Sequence, residues 1–244
     1  MPDTPSDENF MKKVLLFIVI FVIVMVGILI YLPKFYEIKL GQVYQNLIKK
    51  GEELPSPVEK ISMPEKTLEG KSMAMIIAYR NFRDEEYFRP KEILEEAGVE
   101  VKTVSTQKGI AMGADGGEVE VDLLINELNP ADFDGVVFIG GPGALQYLDN
   151  ENSYKVAQET VSQNKILASI CVSPVILAKA GVLSGKRATV WSSPLDRSPV
   201  KILEKNGAIY QDQSVVTDGK IITGNGPAAA KKFGQAIVKA LTKE

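Results

Sequence analysis

The sequence predicts an α/β fold, a sandwich of helices around a mostly parallel β-sheet, for the chain beyond residue 70. Three observations support this prediction. Short apolar runs alternate with helical segments from Ser72 onwards. A strand, a helix and another strand recur in that order, which indicates parallel pairing. The runs GVVFIG and ILASI carry no charge, which is typical of strands that are covered on both faces.

The elements follow one another in a regular order from residue 73 to residue 241. The predicted strands are MAMIIAY, VEVKTVS, EVEVDLLI, GVVFIGG, KILASI and RATVW, with short strands around Ile209, Val215 and Ile221. The predicted helices span residues 85–97, 153–163, 174–179, 199–205 and 227–241. Gly98 closes the first of these helices, as glycine commonly does after a last helical turn. Layers of helices on both faces of the sheet are the expected result.

An uncharged run near the N-terminus breaks this pattern. Residues 14–32 read VLLFIVIFVIVMVGILIYL, directly after Lys12 and Lys13, and the run stops at Pro33. At 1.5 Å per residue such a run crosses the roughly 30 Å hydrocarbon core of a bilayer. Bulky residues stand where a signal peptide would have a small-residue cleavage site. We therefore predict one uncleaved transmembrane helix, which makes the lipid bilayer a partner of the chain.

This anchor divides the chain into four predicted segments: a short tail at 1–13, the anchor at 14–32, a stalk and linker at 33–70, and a folded domain at 71–244. Pro55, Pro57 and Pro64 favour extended, solvated chain in the linker. Lysines flank both ends of the anchor, so positive charge nearly balances across the membrane. The Lys12–Lys13 pair slightly favours a single-pass protein whose domain is extracytoplasmic.

The composition excludes several classes of function. The formal net charge is −3, and the sequence has no basic cluster of the kind that binds nucleic acid. The chain has one cysteine and no histidine, so it forms neither an internal disulfide nor a zinc site with cysteine and histidine ligands. Any metal would need carboxylate ligands. We expect no metal and no other cofactor.

Three chemically notable features fall at the carboxyl ends of predicted strands, where parallel sheets bind ligands. They are Glu85 or Glu86, the pair Gly140–Gly141, and Cys171 in the segment KILASICVSP. A cysteine on a turn at a helix N-terminus is favoured as a thiolate. Each feature also has a plain structural explanation: an inert core cysteine, a glycine turn, or acidic residues that complement a helix dipole. Their coincidence at one edge of the sheet favours a functional site.

Four stretches of the chain resemble the ThiJ/PfpI family of the class I glutamine amidotransferase-like superfamily. ASICVSPVILAKAGVLSGKRAT is similar to its nucleophile segment, and FRDEEYFRPKEILEEAGVEV to its acidic first loop and helix. DFDGVVFIGGPG and VTDGKIITGNGPAAAKKFGQAIV are similar to its Gly-Gly segment and to its last hairpin and helix. The resemblance covers residues 72–241, essentially the whole predicted domain.

The resemblance implies a flavodoxin-like three-layer sandwich that forms homo-oligomers. It implies that Cys171 is a nucleophile on a strained elbow and that Glu86, aligned through Pro90, hydrogen-bonds it. The backbone N–H groups of Gly141 and Val172 would form an oxyanion hole. Because backbone donors need no particular side chain, substitutions in this segment do not remove that function.

The chain departs from the family at two positions. Peptidase-like members have a histidine directly after the cysteine, where this chain has Val172, and deglycase-like members have one where it has Ser193 and Pro194. Cysteine peptidases need a base near the thiol and an acid for the leaving amine, and neither valine nor serine carries protons near neutral pH. Peptidase activity is therefore not expected. Glu86 is the remaining candidate proton carrier.

A cysteine beside a carboxyl group leaves three functions open. A protonated Glu86 would donate a hydrogen bond and lower the pKa of the thiol, whereas an ionised one would oppose the thiolate. Such a pair can add to a small-molecule carbonyl, as in glyoxalase or deglycase reactions, and this is the function that we favour. The alternatives are a redox or stress sensor that reacts with an oxidant, and a binding module without catalysis.

Overall fold

A computed structural model describes residues 68–243 of the chain. The strands are β1 (Ser72–Ile76), β2 (Arg80–Phe82), β3 (Glu100–Ser105), β4 (Gly109–Gly113), β5 (Glu118–Val121), β6 (Leu123–Leu124), β7 (Gly135–Phe138), β8 (Ile166–Ile170), β9 (Arg187–Ala188), β10 (Ile209–Tyr210), β11 (Val215–Asp218) and β12 (Ile221–Gly224). The α-helices are α1 (Asp84–Glu96), α2 (Ala144–Tyr147), α3 (Glu151–Ser162), α4 (Pro174–Lys179), α5 (Ser198–Lys205) and α6 (Ala230–Leu241). Short 3₁₀ helices lie at Pro130–Asp132 and Pro227–Ala229.

The main sheet has seven strands in the order β11–β12–β8–β7–β1–β3–β6. Neighbouring strands pair in parallel, except that β11 runs antiparallel to β12. Met75 of β1 pairs with Val137 of β7, and Val137 pairs with Ala168 of β8. The carboxyl ends of these three strands therefore meet at one edge. The predicted α/β fold with a mostly parallel sheet is confirmed.

Helices cover both faces of this sheet. On one face α1 and α6 pack against the strands and against each other, burying Tyr87, Leu94, Phe233 and Ile237. On the other face α3, α4 and α5 bury residues such as Val156, Ile176 and Leu203. Every residue of β7 and β8 is buried, which explains why these strands carry no charge. The molecule is thus a three-layer sandwich over the described residues.

Several predicted elements differ from the structure at their ends. The segment EVEVDLLI, expected to be one strand, is divided at Asp122, whose carboxylate accepts the Thr103 N–H at 2.7 Å. As a result β5 pairs with β4 in a separate sheet of order β2–β4–β5, whereas β6 joins the main sheet. RATVW forms a strand only over Arg187–Ala188, which pairs in parallel with β10. The last helix starts as a 3₁₀ turn at Pro227 and becomes α-helical at Ala230.

The predicted transmembrane helix at 14–32 lies outside the described residues, as do the tail and nearly all of the stalk and linker. Among residues 68–243, no helix has the length and apolar character needed to cross a membrane. Leu68, near the end of the predicted linker, is buried, and its N–H donates to the Ala97 carbonyl at 3.1 Å. The packed part of the chain therefore includes Leu68.

Candidate active site

Cys171 follows β8 directly and turns the chain away from the sheet. Its φ of 65° lies in the left-handed region, which non-glycine residues rarely adopt. Its N–H donates to the Gly224 carbonyl at 2.9 Å, and its carbonyl accepts the Trp191 N–H at 2.7 Å. These bonds from two neighbouring segments hold the strained backbone in place. The elbow that the resemblance implied for Cys171 is therefore present in the structure.

Glu86 reaches the same point from the first turn of α1, and its side chain is fully buried. A Cβ atom on Gly140 would lie 2.6 Å from Glu86 Oε2 and closer still to the Cβ of Cys171. Glycine at position 140 is therefore what allows the carboxyl and the cysteine to approach each other. The structure brings together the two side chains that the sequence proposed as partners.

The carboxyl of Glu86 is poorly satisfied. Among the described residues, neither of its oxygens makes a hydrogen bond of ordinary length and angle. Its interaction with the Cys171 thiol is therefore a close polar contact and not a well-formed hydrogen bond. Burial raises the pKa of Glu86 to about 7, against smaller opposing effects of the Cys171 thiol, the Arg83 charge and the Gly140 backbone. A large share of the carboxyl is thus protonated at neutral pH.

Two backbone N–H groups act on the thiol of Cys171. They belong to Gly141 and Val172, and both lower the pKa of the thiol. Gly141 has a φ of 112°, and a side chain there would collide with the backbone N of Arg83 and lie 2.7 Å from the Asn81 carbonyl oxygen. The residues proposed for the oxyanion hole are therefore both at the sulfur. Their role in catalysis stays a prediction.

The thiol pKa differs from the sequence expectation. Burial raises the pKa of Cys171, and the charge of an ionised Glu86 and its polar contact with the thiol raise it further. The expected lowering relied on a helix dipole, but α4 has only six residues and the side chain is only 7% exposed. Because the two acids face each other, their titrations belong to the pair. Protonation of Glu86 removes its opposing charge, after which burial still raises the thiol pKa and the two backbone donors lower it.

Ser173 stabilises the elbow in a way that sequence reasoning did not identify. Its buried hydroxyl donates to the Ile139 carbonyl at 2.8 Å. Ile139 directly follows β7, and Ser173 lies two residues beyond the nucleophile. The bond therefore ties the ends of β7 and β8 together beneath Cys171. A small hydroxyl residue immediately before the proline that starts α4 was the available sequence signal.

A cavity of about 260 Å³ opens at the cysteine. Its lining consists of Arg83, Gly141, Pro142, Cys171, Val172, Trp191 and Pro227. Sequence reasoning missed Arg83, Trp191 and Pro227, which come from three separate segments of the chain. Larger depressions of 740 and 300 Å³ lie along the outer face of α1 and beside Lys220, both away from the cysteine. The chemistry therefore identifies the smaller cavity as the candidate site.

The positions where family members have a histidine do not supply another proton carrier. Val172 is apolar, and its contribution to the site is its backbone N–H. Ser193 is engaged in a local turn, where its hydroxyl oxygen accepts the Asp196 N–H at 3.0 Å. Among residues 68–243, no group of three or more cysteine or acidic side chains is placed to hold a metal ion. Glu86 is the titratable side chain that faces the sulfur.

A known protein family and several known proteins match this part of the chain. The model of the DJ-1/PfpI family matches residues 71–240. The chain belongs to the DJ-1/PfpI family. It is 42% identical over 170 residues to an uncharacterized protein of Methanocaldococcus jannaschii, covering 69% of this chain and 82% of that one. It is 34% identical over 167 residues to a protein of Pyrococcus abyssi that is named a deglycase, covering 68% and 98% of the two chains.

Solved structures of this family share the fold. A ThiJ/PfpI domain protein from Brachyspira murdochii superimposes with a TM-score of 0.68 at 34% identity. The match covers 72% of this chain and 99% of that structure. The flavodoxin-like sandwich that the resemblance implied is therefore confirmed for the domain. The predicted membrane anchor at 14–32 falls outside the residues that the family model matches.

Proposed function

We propose that this domain is a cysteine-dependent enzyme that acts on small reactive carbonyls in a glyoxalase-like or deglycase-like reaction. One observation carries the proposal: a strained, nearly buried Cys171 faces a buried Glu86 whose pKa is about 7. The backbone donors of Gly141 and Val172 complete the arrangement. Archaeal relatives at about a third identity that are named deglycases support the same chemistry.

The proton arrangement of the pair fits addition to an aldehyde. With one proton shared by the two acids, either Glu86 is ionised beside a thiol or it is neutral beside a thiolate. The backbone donors stabilise the second arrangement, which is the nucleophilic one. When the sulfur adds to a carbonyl, negative charge moves to the carbonyl oxygen. A backbone N–H that loses its contact with the sulfur can then donate a hydrogen bond to that oxygen.

A 2-oxoaldehyde can be converted at this site without an external oxidant. The sulfur forms a bond to the aldehyde carbon, and the proton of the pair moves to the aldehyde oxygen to give a hemithioacetal. The Glu86 carboxylate then removes the proton on that carbon and returns it to the adjacent carbonyl carbon, while the hydroxyl proton moves to the adjacent carbonyl oxygen. The product is a thioester of a 2-hydroxy acid, which water hydrolyses. The aldehyde carbon is oxidised, the ketone carbon is reduced, and the thiol is regenerated.

Turnover of methylglyoxal to lactate by the purified full-length protein tests the proposal. The expected result is measurable turnover that Cys171→Ser abolishes and Glu86→Gln lowers strongly. Glu85→Gln is a matched control, because it removes a carboxylate from the adjacent, exposed position. Turnover that survives Cys171→Ser, or no turnover of methylglyoxal or of a glycated amine, contradicts the proposal.

A redox or stress sensor is the second candidate, and the backbone donors favour it. The N–H groups that face the sulfur would also stabilise an oxidised sulfinate. Treatment with mild peroxide should then add oxygen to Cys171 before any methionine, and Glu86→Gln should change the rate. Oxidation that is confined to methionine would contradict this function. A site that neither turns over carbonyls nor oxidises would leave the third candidate, a binding module.

Peptide hydrolysis does not fit the site. The amine that leaves a peptide needs a proton in the transition state, and positioned acid–base catalysis contributes about 10² to 10⁴ in rate. The chain contains no histidine, and Glu86 faces the sulfur. An aldehyde needs no leaving group, so the same arrangement can process it. We propose that the domain has no appreciable peptidase activity.

Two further parts of the proposal concern where the enzyme works and with what partners. The 19-residue uncharged run at 14–32 supports a single-pass anchor, and the Lys12–Lys13 pair favours an extracytoplasmic domain. Resistance of the full-length protein to extraction by alkaline carbonate would support the anchor, and release would contradict it. The family resemblance supports a homo-oligomer, which sedimentation of the detergent-solubilised protein can test.

A further inference from the structure

Arg83, a residue with a permanent positive charge, lines the cysteine cavity. Arg83 stands immediately before α1, three residues before Glu86, and lines the same 260 Å³ cavity as Cys171. Its backbone N–H donates to the Gly140 carbonyl at 3.0 Å, which fixes its main chain beside the Gly-Gly turn. Its positive charge acts on the Glu86 carboxyl and lowers that group's pKa. The charge of Arg83 is therefore felt at the reacting pair.

The guanidinium of Arg83 is oriented by an acidic residue on a neighbouring turn. Its Nη1 donates to both carboxylate oxygens of Asp115 at 3.1 Å. The two side chains are 31% and 57% exposed, and such solvated ion pairs contribute little to stability. Within the part of the chain that the structure describes, the other guanidinium N–H groups have no protein acceptor. Arg83 is thus positioned by Asp115 and keeps donors for a second anion.

The rest of the cavity has no charge to compete with Arg83. Its other lining residues are glycine, prolines, valine, tryptophan and the cysteine itself. At 260 Å³ the cavity is smaller than the roughly 300–1,000 Å³ of most drug-sized ligand sites. It suits a molecule of a few carbons whose one end meets Cys171 and whose other end meets Arg83. An anionic group is the natural partner for that second end.

We propose that Arg83 binds the carboxylate of the substrate, so that the preferred substrates are small 2-oxoaldehydes that also carry a carboxylate. This inference deepens the proposed function, and its statement that the substrate is an aldehyde rests on that function. Its statement that the substrate carries an anion rests on the position of Arg83 in the cavity. The reaction is the one derived above, with the charge of Arg83 placing the reactive carbon against the sulfur.

Alkylation of Cys171 tests the anion-binding end without requiring turnover. Iodoacetate and iodoacetamide both react by forming a sulfur–carbon bond and releasing iodide, but only iodoacetate carries a carboxylate. Because Cys171 is the chain's single cysteine, intact mass measures its modification directly. The quantity of interest is the rate with iodoacetate divided by the rate with iodoacetamide, measured on the full-length protein. This ratio cancels changes in thiol reactivity that affect both reagents.

Two variants separate anion binding from a merely structural role of Arg83. Arg83→Gln should lower the ratio about tenfold or more, the effect of a lost charge-assisted hydrogen bond. Asp115→Asn breaks the same ion pair but keeps the cation, so the ratio should stay the same or rise. An unchanged ratio in Arg83→Gln overturns the proposal. An equal fall in both variants also overturns it, because it would mean that Arg83 acts only by fixing the turn.

A pair of carbonyl probes then separates this inference from the proposed function. 4,5-Dioxopentanoate is a 2-oxoaldehyde with a carboxylate, and methylglyoxal is a neutral one. Arg83→Gln should lower kcat/KM for the anionic compound at least about tenfold more than for methylglyoxal. If neither compound is turned over while the alkylation ratio still depends on Arg83, the proposed function fails and the anion site stands. Equal effects on both compounds mean that the function stands and the anion site fails.

Discussion

Two acidic residues of one helical turn have opposite environments in this protein. Asp84 is half-buried, and its two oxygens accept the backbone N–H groups of Asp115 and Gly117 at 2.8 and 2.6 Å. Glu86 is completely buried, and among the described residues its oxygens have no well-formed hydrogen bond. The carboxylate of Asp84 is thus satisfied by the fold. That of Glu86 is left facing a thiol.

The difference follows from helix geometry. Residues two apart on an α-helix point about 200° away from each other. Asp84 therefore faces the turn between β4 and β5, whereas Glu86 faces the carboxyl edge of the main sheet and Cys171. A buried, unsatisfied carboxyl lowers stability and persists where function requires it. We therefore propose that Asp84 serves folding and Glu86 serves chemistry, and each variant below tests one of these two roles.

The largest expected effect is the loss of catalysis in Glu86→Gln. Glutamine keeps the shape of the side chain but cannot transfer a proton, and positioned acid–base catalysis is worth about 10² to 10⁴ in rate. We expect kcat for methylglyoxal to fall at least about 100-fold, with unchanged circular dichroism. Asp84→Asn, two residues away, should retain most of the activity. Comparable losses in the two variants would show that the turn as a whole, and not one carboxyl, supports turnover.

The same substitution should raise stability at alkaline pH. Glu86 has a folded-state pKa of about 7 against a reference value of 4.5, so the unfolded chain releases this proton first as the pH rises. The contribution of Glu86 to the free energy of unfolding is therefore fully present below pH 4.5, falls between pH 4.5 and 7, and is lost above pH 7. The loss amounts to about 3 kcal/mol.

Urea unfolding of Glu86→Gln and of the parent protein measures this effect. The free energy of unfolding should be similar for both at pH 4.5 and should favour the variant by up to about 3 kcal/mol at pH 8. A difference between the two proteins that does not change with pH would exclude a raised pKa for Glu86. Glu85→Gln is again the control. Because the carboxylate of Glu85 is exposed, this substitution should cause no pH-dependent change in the free energy of unfolding.

Sequence reasoning predicted the sheet and the reacting pair for identifiable physical reasons. Uncharged runs such as ILASI predict buried parallel strands, and the order of strand and helix predicts which strand ends meet. Topology placed Cys171 and either Glu85 or Glu86 at such ends, and the family resemblance singled out Glu86. The division of EVEVDLLI at Asp122 was not predictable in this way, because it depends on a hydrogen bond to Thr103, 19 positions earlier in the chain.

The cavity itself was also beyond the sequence. Arg83, Trp191 and Pro227 come together from separate segments of the chain, and no local pattern marks any of them as a neighbour of Cys171. The thiol pKa was expected to be lowered because a helix follows the cysteine. Burial and the charge of Glu86 outweigh that effect, and both depend on tertiary packing. Position along the chain thus predicts which residues meet, but not how much water or charge surrounds them.

A smaller effect is expected when the structural carboxylate is removed. Asp84→Ala leaves the N–H groups of Asp115 and Gly117 without their acceptor, and hydrogen bonds to charged groups are worth about 1.5–3 kcal/mol. Because the site is partly solvated, we expect a loss of about 2 kcal/mol in unfolding free energy. Hydrogen exchange should rise first at the turn between β4 and β5. An unchanged free energy of unfolding would contradict the proposal that Asp84 stabilises the fold.

The smallest effect is expected for Asp115→Asn, which breaks the ion pair with Arg83 but leaves the hydrogen bond from its backbone N–H to Asp84 in place. Both side chains of the pair are solvated, and exposed pairs contribute at most about 1 kcal/mol. We expect the free energy of unfolding to fall by less than about 1 kcal/mol. The decrease should be smaller still in about 1 M salt, because salt at this concentration screens most of the attraction between the two charges. A loss as large as that of Asp84→Ala would mean that the side chain of Asp115, and not its backbone, holds the turn on α1. Arg83 would then have a structural role, in holding this turn through Asp115, in addition to its proposed role in binding the substrate.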